Sequence, residues 1–166
     1  MVEPRFAKIL VPVDFSPCSE EAFRVACSLA RLYQSELVLL HVVDTPALER
    51  FNQLGLGLPS EKAKQKKSLR HNARLNCRRL LTSDIAKGVP IVREIAEGSP
   101  FVEIARAARA ERVDLVVIGS YGGQGGRVEK IFFGSTAEKV VRTAGCAVLC
   151  VPLPPALAGG QRTNKK

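Results

Sequence analysis

Ile9-Leu10-Val11-Pro12, then Ser16-Pro17, then Leu37-Val38-Leu39-Leu40-His41-Val42-Val43: these three pieces, in this order, decide the fold. The first and last are continuous apolar runs without the polar alternation of a half-exposed sheet, as strands covered on both faces require. Ser16 is a helix N-cap residue, Pro17 suits the first helical position, and Ala22, Ala26, Leu29 and Ala30 follow at helical spacing. Strand, helix, buried strand is the crossover unit of a parallel sheet. The pattern recurs downstream. Residues 91–95 read as a strand, Ser99-Pro100 opens a helix carrying Ile104, Ala105 and Ala108, and residues 114–118 return to strand. Ser135-Thr136-Ala137-Glu138 has the spacing of a capping box, so a last helix begins at Ser135 and leads into a strand over 146–151. Right-handed crossovers wind five such strands into an α/β fold: an open, doubly wound, five-stranded parallel sheet with helices on both faces. Ligands of such sheets gather at the strands' carboxyl ends, which selects the turns after Val11, Val42 and Ile118.

With 166 residues and 46% apolar content, the chain suits one domain over residues 1–155, with a flexible, glycine-rich tail over 156–166. The five cysteines form no C-x-x-C pair and sit mostly among apolar neighbours, as in a reducing compartment. Acidic Glu3 precedes any apolar run and no stretch approaches the length of a bilayer span, so no membrane association and a cytoplasmic location are expected.

Residues 45–59 contain Gly55 and Gly57 and no clear period, and read as a mobile loop. The helix that follows is strongly basic. Residues 60–87 carry nine basic side chains against two acidic ones, within a chain of net charge +9. Lys62, Lys66, Arg70, Arg74 and Arg78 form a stripe at four-residue spacing, while Leu69, Ala73, Cys77 and Leu80 form its apolar face. Such a stripe is a solvated surface suited to an acidic protein partner; nucleic acid is not the expected one.

Val116-Val117-Ile118-Gly119-Ser120-Tyr121-Gly122 leaves a buried strand into glycines, and Gly134-Ser135 stands at the next helix start. Glycines let the backbone approach an anion, and helix-start amides favour negative charge. The same residues would also serve an ordinary loop capped by Ser135, since neither G-x-G-x-x-G nor G-x-x-x-x-G-K-[ST] occurs.

Four segments together resemble the universal stress protein family: Ile9-Leu10-Val11-Pro12-Val13-Asp14-Phe15-Ser16, Leu40-His41-Val42, Gly119-Ser120-Tyr121-Gly122, and Gly134-Ser135-Thr136-Ala137-Glu138-Lys139-Val140. The resemblance covers residues 8–152, with the variable loop and basic helix, 45–87, where that family varies most. It implies a nucleotide-binding or a non-binding member, commonly a homodimer through the last strand. In the binding group Gly119 and Gly122 match the first glycines of G-x-x-G, and Gly134, Ser135 and Thr136 match the segment whose amides and hydroxyls face phosphates. Pro12 and Asp14 match the first-strand turn, the carboxylate accepting from ribose, and Val42 and Ile118 match positions lining the base. The implied ligand is ATP or AMP, with magnesium as its counter-ion. Two departures stand out: eleven residues separate Gly122 from Gly134 where the family has nine, and Tyr121 replaces a common histidine.

No catalytic constellation accompanies these motifs. His41 reads as a satisfied core histidine, His71 lies on the basic helix, and neither has metal-ligand spacing to a second ligand. Ser120 and Ser135 lack the G-x-S-x-G elbow, and Cys146 and Cys150 share one strand face, as packing residues would. The expectation is a non-enzymatic nucleotide-binding regulatory or stress-response protein. Its rival is a dimeric interaction module of the same fold that binds no nucleotide and works through the basic helix and dimer surface.

Overall fold

The computed structural model describes residues 6–54, 62–121 and 133–154. Five strands, β1 (Lys8–Pro12), β2 (Glu36–Asp44), β3 (Ile91–Gly98), β4 (Leu115–Gly119) and β5 (Ala147–Val151), form one sheet in the order β3-β2-β1-β4-β5. Every pairing is parallel. The helices are α1 (Pro17–Tyr33), α2 (Thr45–Gln53), α3 (Lys62–Leu81), α4 (Pro100–Ala110) and α5 (Ser135–Thr143), with a short 3-10 turn at Asp84–Ala86. After β1 the chain builds outward through β2 and β3, then returns to place β4 and β5 on the other side. The reversal lies between β1 and β4, where Leu10 is in register with Val116.

The sheet separates two apolar clusters. Ile9, Val11, Leu37, Leu39 and Val117 point to the face covered by Phe23, Ala26 and Cys27 of α1 and Cys77 and Leu80 of α3. Leu10, Val38, Leu40, Val116 and Ile118 point to the face covered by Ile104 and Ala108 of α4 and Ala137 and Val140 of α5. Successive side chains on a strand face opposite ways, so burial on both sides demands unbroken apolar runs.

Where the fold differs from the sequence reading, local chemistry explains it. Residues 45–53 are helical rather than loop: Asp44 caps them, accepting from the Ala47 amide at 2.9 Å, and Pro46 sits in the first turn. This helix is short and buries no residue. On α3, Ala73, Cys77 and Leu80 are buried but Leu69 is 41% exposed. Only the C-terminal half of α3 reaches the apolar face; its earlier turns are tied down by Lys66 and Arg70, which hold Glu97 of β3 at 2.5 and 2.7 Å. The basic stripe is therefore split, with Arg74 and Arg78 exposed and the Lys62 side chain outside the described residues. The capping box does not form. Gly134, in extended conformation, is the N-cap of α5, Ser135 is already helical, and the Glu138 carboxylate accepts from Arg142 at 2.9 Å. A box requires the hydroxyl at the N-cap, one residue earlier than Ser135 stands. The tail, residues 156–166, lies outside the described residues.

Candidate functional site

The turn after β1 is closed by a chain of local bonds. The Val13 amide donates to the Leu40 carbonyl at 2.8 Å, and the Asp14 amide to Ser19 Oγ at 3.3 Å. Asp14 Oδ1 accepts from the Ser16 amide at 3.0 Å, and Ser16 Oγ caps α1 by accepting from the Ser19 amide at 3.3 Å. Ser16 rather than Asp14 is thus the cap, which leaves Asp14 on the cavity side of the turn. Between them Phe15 takes φ 63, a left-handed conformation uncommon for a bulky side chain. Its ring stacks on His41 of β2, centroids 4.6 Å apart at 27°. His41 Nδ1 lies 2.8 Å from the Val13 carbonyl, which can only accept, so Nδ1 carries the proton. Burial pushes the His41 pKa below its ordinary value, while the Val13 carbonyl and the Asp14 charge oppose this.

The second wall begins where β4 ends. A Cβ on Gly119 would lie 3.0 Å from the carbonyl carbon and oxygen of Cys18 and 3.1 Å from the Ser19 amide nitrogen. Glycine lets β4 finish close beneath the first turn of α1 without displacing it. The Ser120 amide then donates to Val151, and the Gly134 amide donates to the Ser120 carbonyl at 2.7 Å, which sets the start of α5 beside the end of β4. Glu138 is the first residue of α5 to donate back to Gly134, at 3.0 Å. The amides of Ser135, Thr136 and Ala137 precede it, and Gly134 at the N-cap has no side chain to cap them.

These walls enclose a cavity of about 370 Å³ at the carboxyl ends of β1, β2 and β4. Pro12, Val42 and Ile118 line it with Leu40, Pro100 and Ile104 as its apolar part. Asp14, Ser19, Asp44, Ser135 and Thr136 supply polar atoms, and Gly119, Tyr121 and Gly134 also line it. All the residues singled out from the sequence line it except Gly122, which lies outside the described residues. The sequence reading missed Val13, Ser19, Leu40, Asp44, Pro100, Ile104 and Ala137. Asp44 and Ser19 could have been found, since each stands at a helix start following a selected strand. Pro100 and Ile104 could not, because which helix overhangs the turn is a tertiary matter. Among the described residues the lining includes two carboxylates and no lysine or arginine, so an anion here would meet backbone amides and hydroxyls.

The remaining candidates fall elsewhere. None of Lys66, Arg70, Arg74 and Arg78 lines the cavity among the described residues. Cys27 and Cys77 are buried thiols pushed up to about 11 by desolvation, which makes them inert packing groups. Cys146 and Cys150 both pack against the α4–α5 cluster. Among the described residues no helix is long and apolar enough to cross a membrane.

Residues 5–152 match the universal stress protein family. The chain is 32% identical to universal stress protein MJ0531 of Methanocaldococcus jannaschii over 154 residues, covering 92% of this chain and 85% of that one. It is 29% identical to MJ0577 of the same organism, covering 88% and 94%. Superposed on the solved structure of MJ0577, it gives a TM-score of 0.73 over 89% of this chain and 96% of that one, at 27% identity. A universal stress protein solved in complex with cAMP has the same fold, with a TM-score of 0.61 over 90% and 99% of the two chains at 19% identity. By a match spanning nearly all its length, and by a sheet order and switch-point cavity that suit it, the chain belongs to the universal stress protein family.

Proposed function

We propose that the chain is a cytoplasmic regulatory protein that holds an adenine nucleotide, ATP or AMP, in the switch-point cavity. Universal stress proteins generally act as regulators or sensors rather than catalysts. The observation that carries the nucleotide reading is the mixed lining of the cavity. Its volume of about 370 Å³ falls in the range of small-molecule sites, and its lining combines apolar Val42, Ile118 and Ile104 with Asp14 and the first turn of α5. A purine suits the apolar residues; ribose hydroxyls suit the Asp14 carboxylate, and phosphates suit the amides of Ser135 to Ala137 at the start of α5. Magnesium would arrive on the phosphates, because among the described residues no cluster of three metal-ligating side chains exists. A relative solved with cAMP makes adenine nucleotides the first ligands to try.

Thermal melting with ATP, AMP and GTP, with and without magnesium, tests this. A ligand bound only to the native state adds about 2.7 kcal/mol at a hundred times its Kd. Asp14→Ala should weaken adenine nucleotide binding about tenfold, equivalent to about 1.4 kcal/mol, through loss of charge-assisted bonds to ribose. If millimolar ATP and AMP both leave the wild-type melt unmoved, the second reading takes over. That reading, an interaction module without nucleotide, is favoured by the eleven residues between Gly122 and Gly134. In both readings the chain pairs with a second copy through the outer edge of β5, where Ala147 and Leu149 are exposed.

A further inference from the structure

A left-handed conformation at a residue as bulky as Phe15 persists only where its surroundings over-determine it, and such residues gather where a site needs an unusual backbone path. Here the surroundings come from the neighbouring strand. His41 meets the turn twice: its ring stacks on Phe15, and its Nδ1–H donates to the carbonyl of Val13 at 2.8 Å. The residue between those two contacts is Asp14. With the Val13 amide on Leu40, both polar groups of the Val13 backbone are fixed by β2, so the direction in which the chain leaves β1 is set from outside it.

We propose that His41 is a positioning residue of the candidate nucleotide site, holding the Val13–Phe15 turn, and through it the Asp14 carboxylate, in the orientation the cavity presents. His41 does not line the cavity itself, and it acts only through Asp14. The inference rests on the nucleotide reading of the cavity. It requires a donor at the Nδ1 position, which leucine or phenylalanine in this apolar strand would not supply.

Calorimetric titration with AMP and ATP of wild type, His41→Phe, His41→Asn, Asp14→Ala and the His41→Phe/Asp14→Ala double variant tests it. His41→Phe keeps a ring but loses the donor, and should weaken binding about tenfold. His41→Asn, whose amide stands near the Nδ1 position, should bind within about threefold of wild type; on the Asp14→Ala background His41→Phe should add less than about twofold, because residues acting as one unit are not additive. Equal affinity of His41→Phe and wild type, or full additivity in the double variant, overturns the proposal. A general loss of stability would not produce this coupling or this rescue. If His41→Phe fails to fold, His41→Gln, which carries its amide one bond further out, takes its place. Amide spectra of the ligand-free proteins separate this from the nucleotide reading. If wild type binds neither nucleotide, that reading falls, and the positioning claim is decided by the Asp14 to Ser19 amides. Displacement confined to them in His41→Phe and reversed in His41→Asn supports it; unmoved amides overturn it.

Discussion

Two residues at the switch point show what single positions contribute. Phe15 turns the chain by its left-handed backbone, and Gly119 permits contact by having no side chain. The Gly119 contact has a measurable cost if disturbed. A methyl there would lie 3.0 Å from Cys18 backbone atoms, which cannot swing aside as a flexible side chain would. Gly119→Ala should therefore destabilise the fold by about 1–3 kcal/mol, read by chemical denaturation, because overpacking shifts α1 away from β4. An unchanged denaturation midpoint would mean that the two elements separate without cost. The sequence marked Gly119 for backbone approach to a ligand. The structure adds a packing role, approach to the first turn of α1, which no local pattern in residues 116–122 announces.

At the scale of elements, α3 carries two kinds of basic residue. Lys66 and Arg70 bridge to Glu97 at the sheet edge, and the two cations hold the Glu97 carboxyl below its ordinary pKa. Arg74 and Arg78 are exposed. Replacing Lys66 and Arg70 by glutamine should lower the melting temperature at pH 7, and replacing Arg74 and Arg78 should leave it unchanged. With Glu97 depressed, its share of stability is present above the ordinary carboxylate range and fades as pH falls through the lowered value, so the difference between the two variants should shrink in acid. Both pairs should keep ATP affinity within about twofold, since exposed charges beyond roughly 8 Å are screened at physiological salt. Loss of ATP binding in either pair would bring α3 into the site. The spacing of the stripe was plain in the sequence. Its division was not, because Glu97 lies 27 residues from Arg70 and meets it only across the fold.

The whole molecule ends in a parallel sheet with β3 and β5 as its edges. The edge at β3 carries Arg93, Glu94 and Glu97, charges that discourage pairing with another chain. The edge at β5 has no such protection. Its sequence is Ala-Val-Leu-Cys-Val, Leu149 is 39% exposed, and Val141 of the preceding helix is 54% exposed. Two-fold pairing through β5 would cover this apolar strand, and Pro152 and Pro154 limit the pairing beyond it. Light scattering at micromolar concentration should give twice the chain mass, falling to a single chain in Leu149→Lys. A monomeric wild type would remove the dimer from either functional reading.

The sequence by itself determined the sheet class, the five strands in their order along the chain, and the three turns that line the cavity. Each of these is local: continuous apolar runs such as 37–43 require burial on both faces, Ser16 caps its helix with its own side chain, and Pro17 and Pro100 fit the first helical positions. Only the tertiary structure decided what the turns meet. The helix over Thr45–Gln53 buries no residue, Gly134 displaces Ser135 as the cap of α5, and His41 reaches Val13 and Phe15 from a different strand. Such contacts depend on which strand lies beside which and on how far each helix overhangs the sheet, quantities fixed by packing the whole core rather than by any stretch of chain.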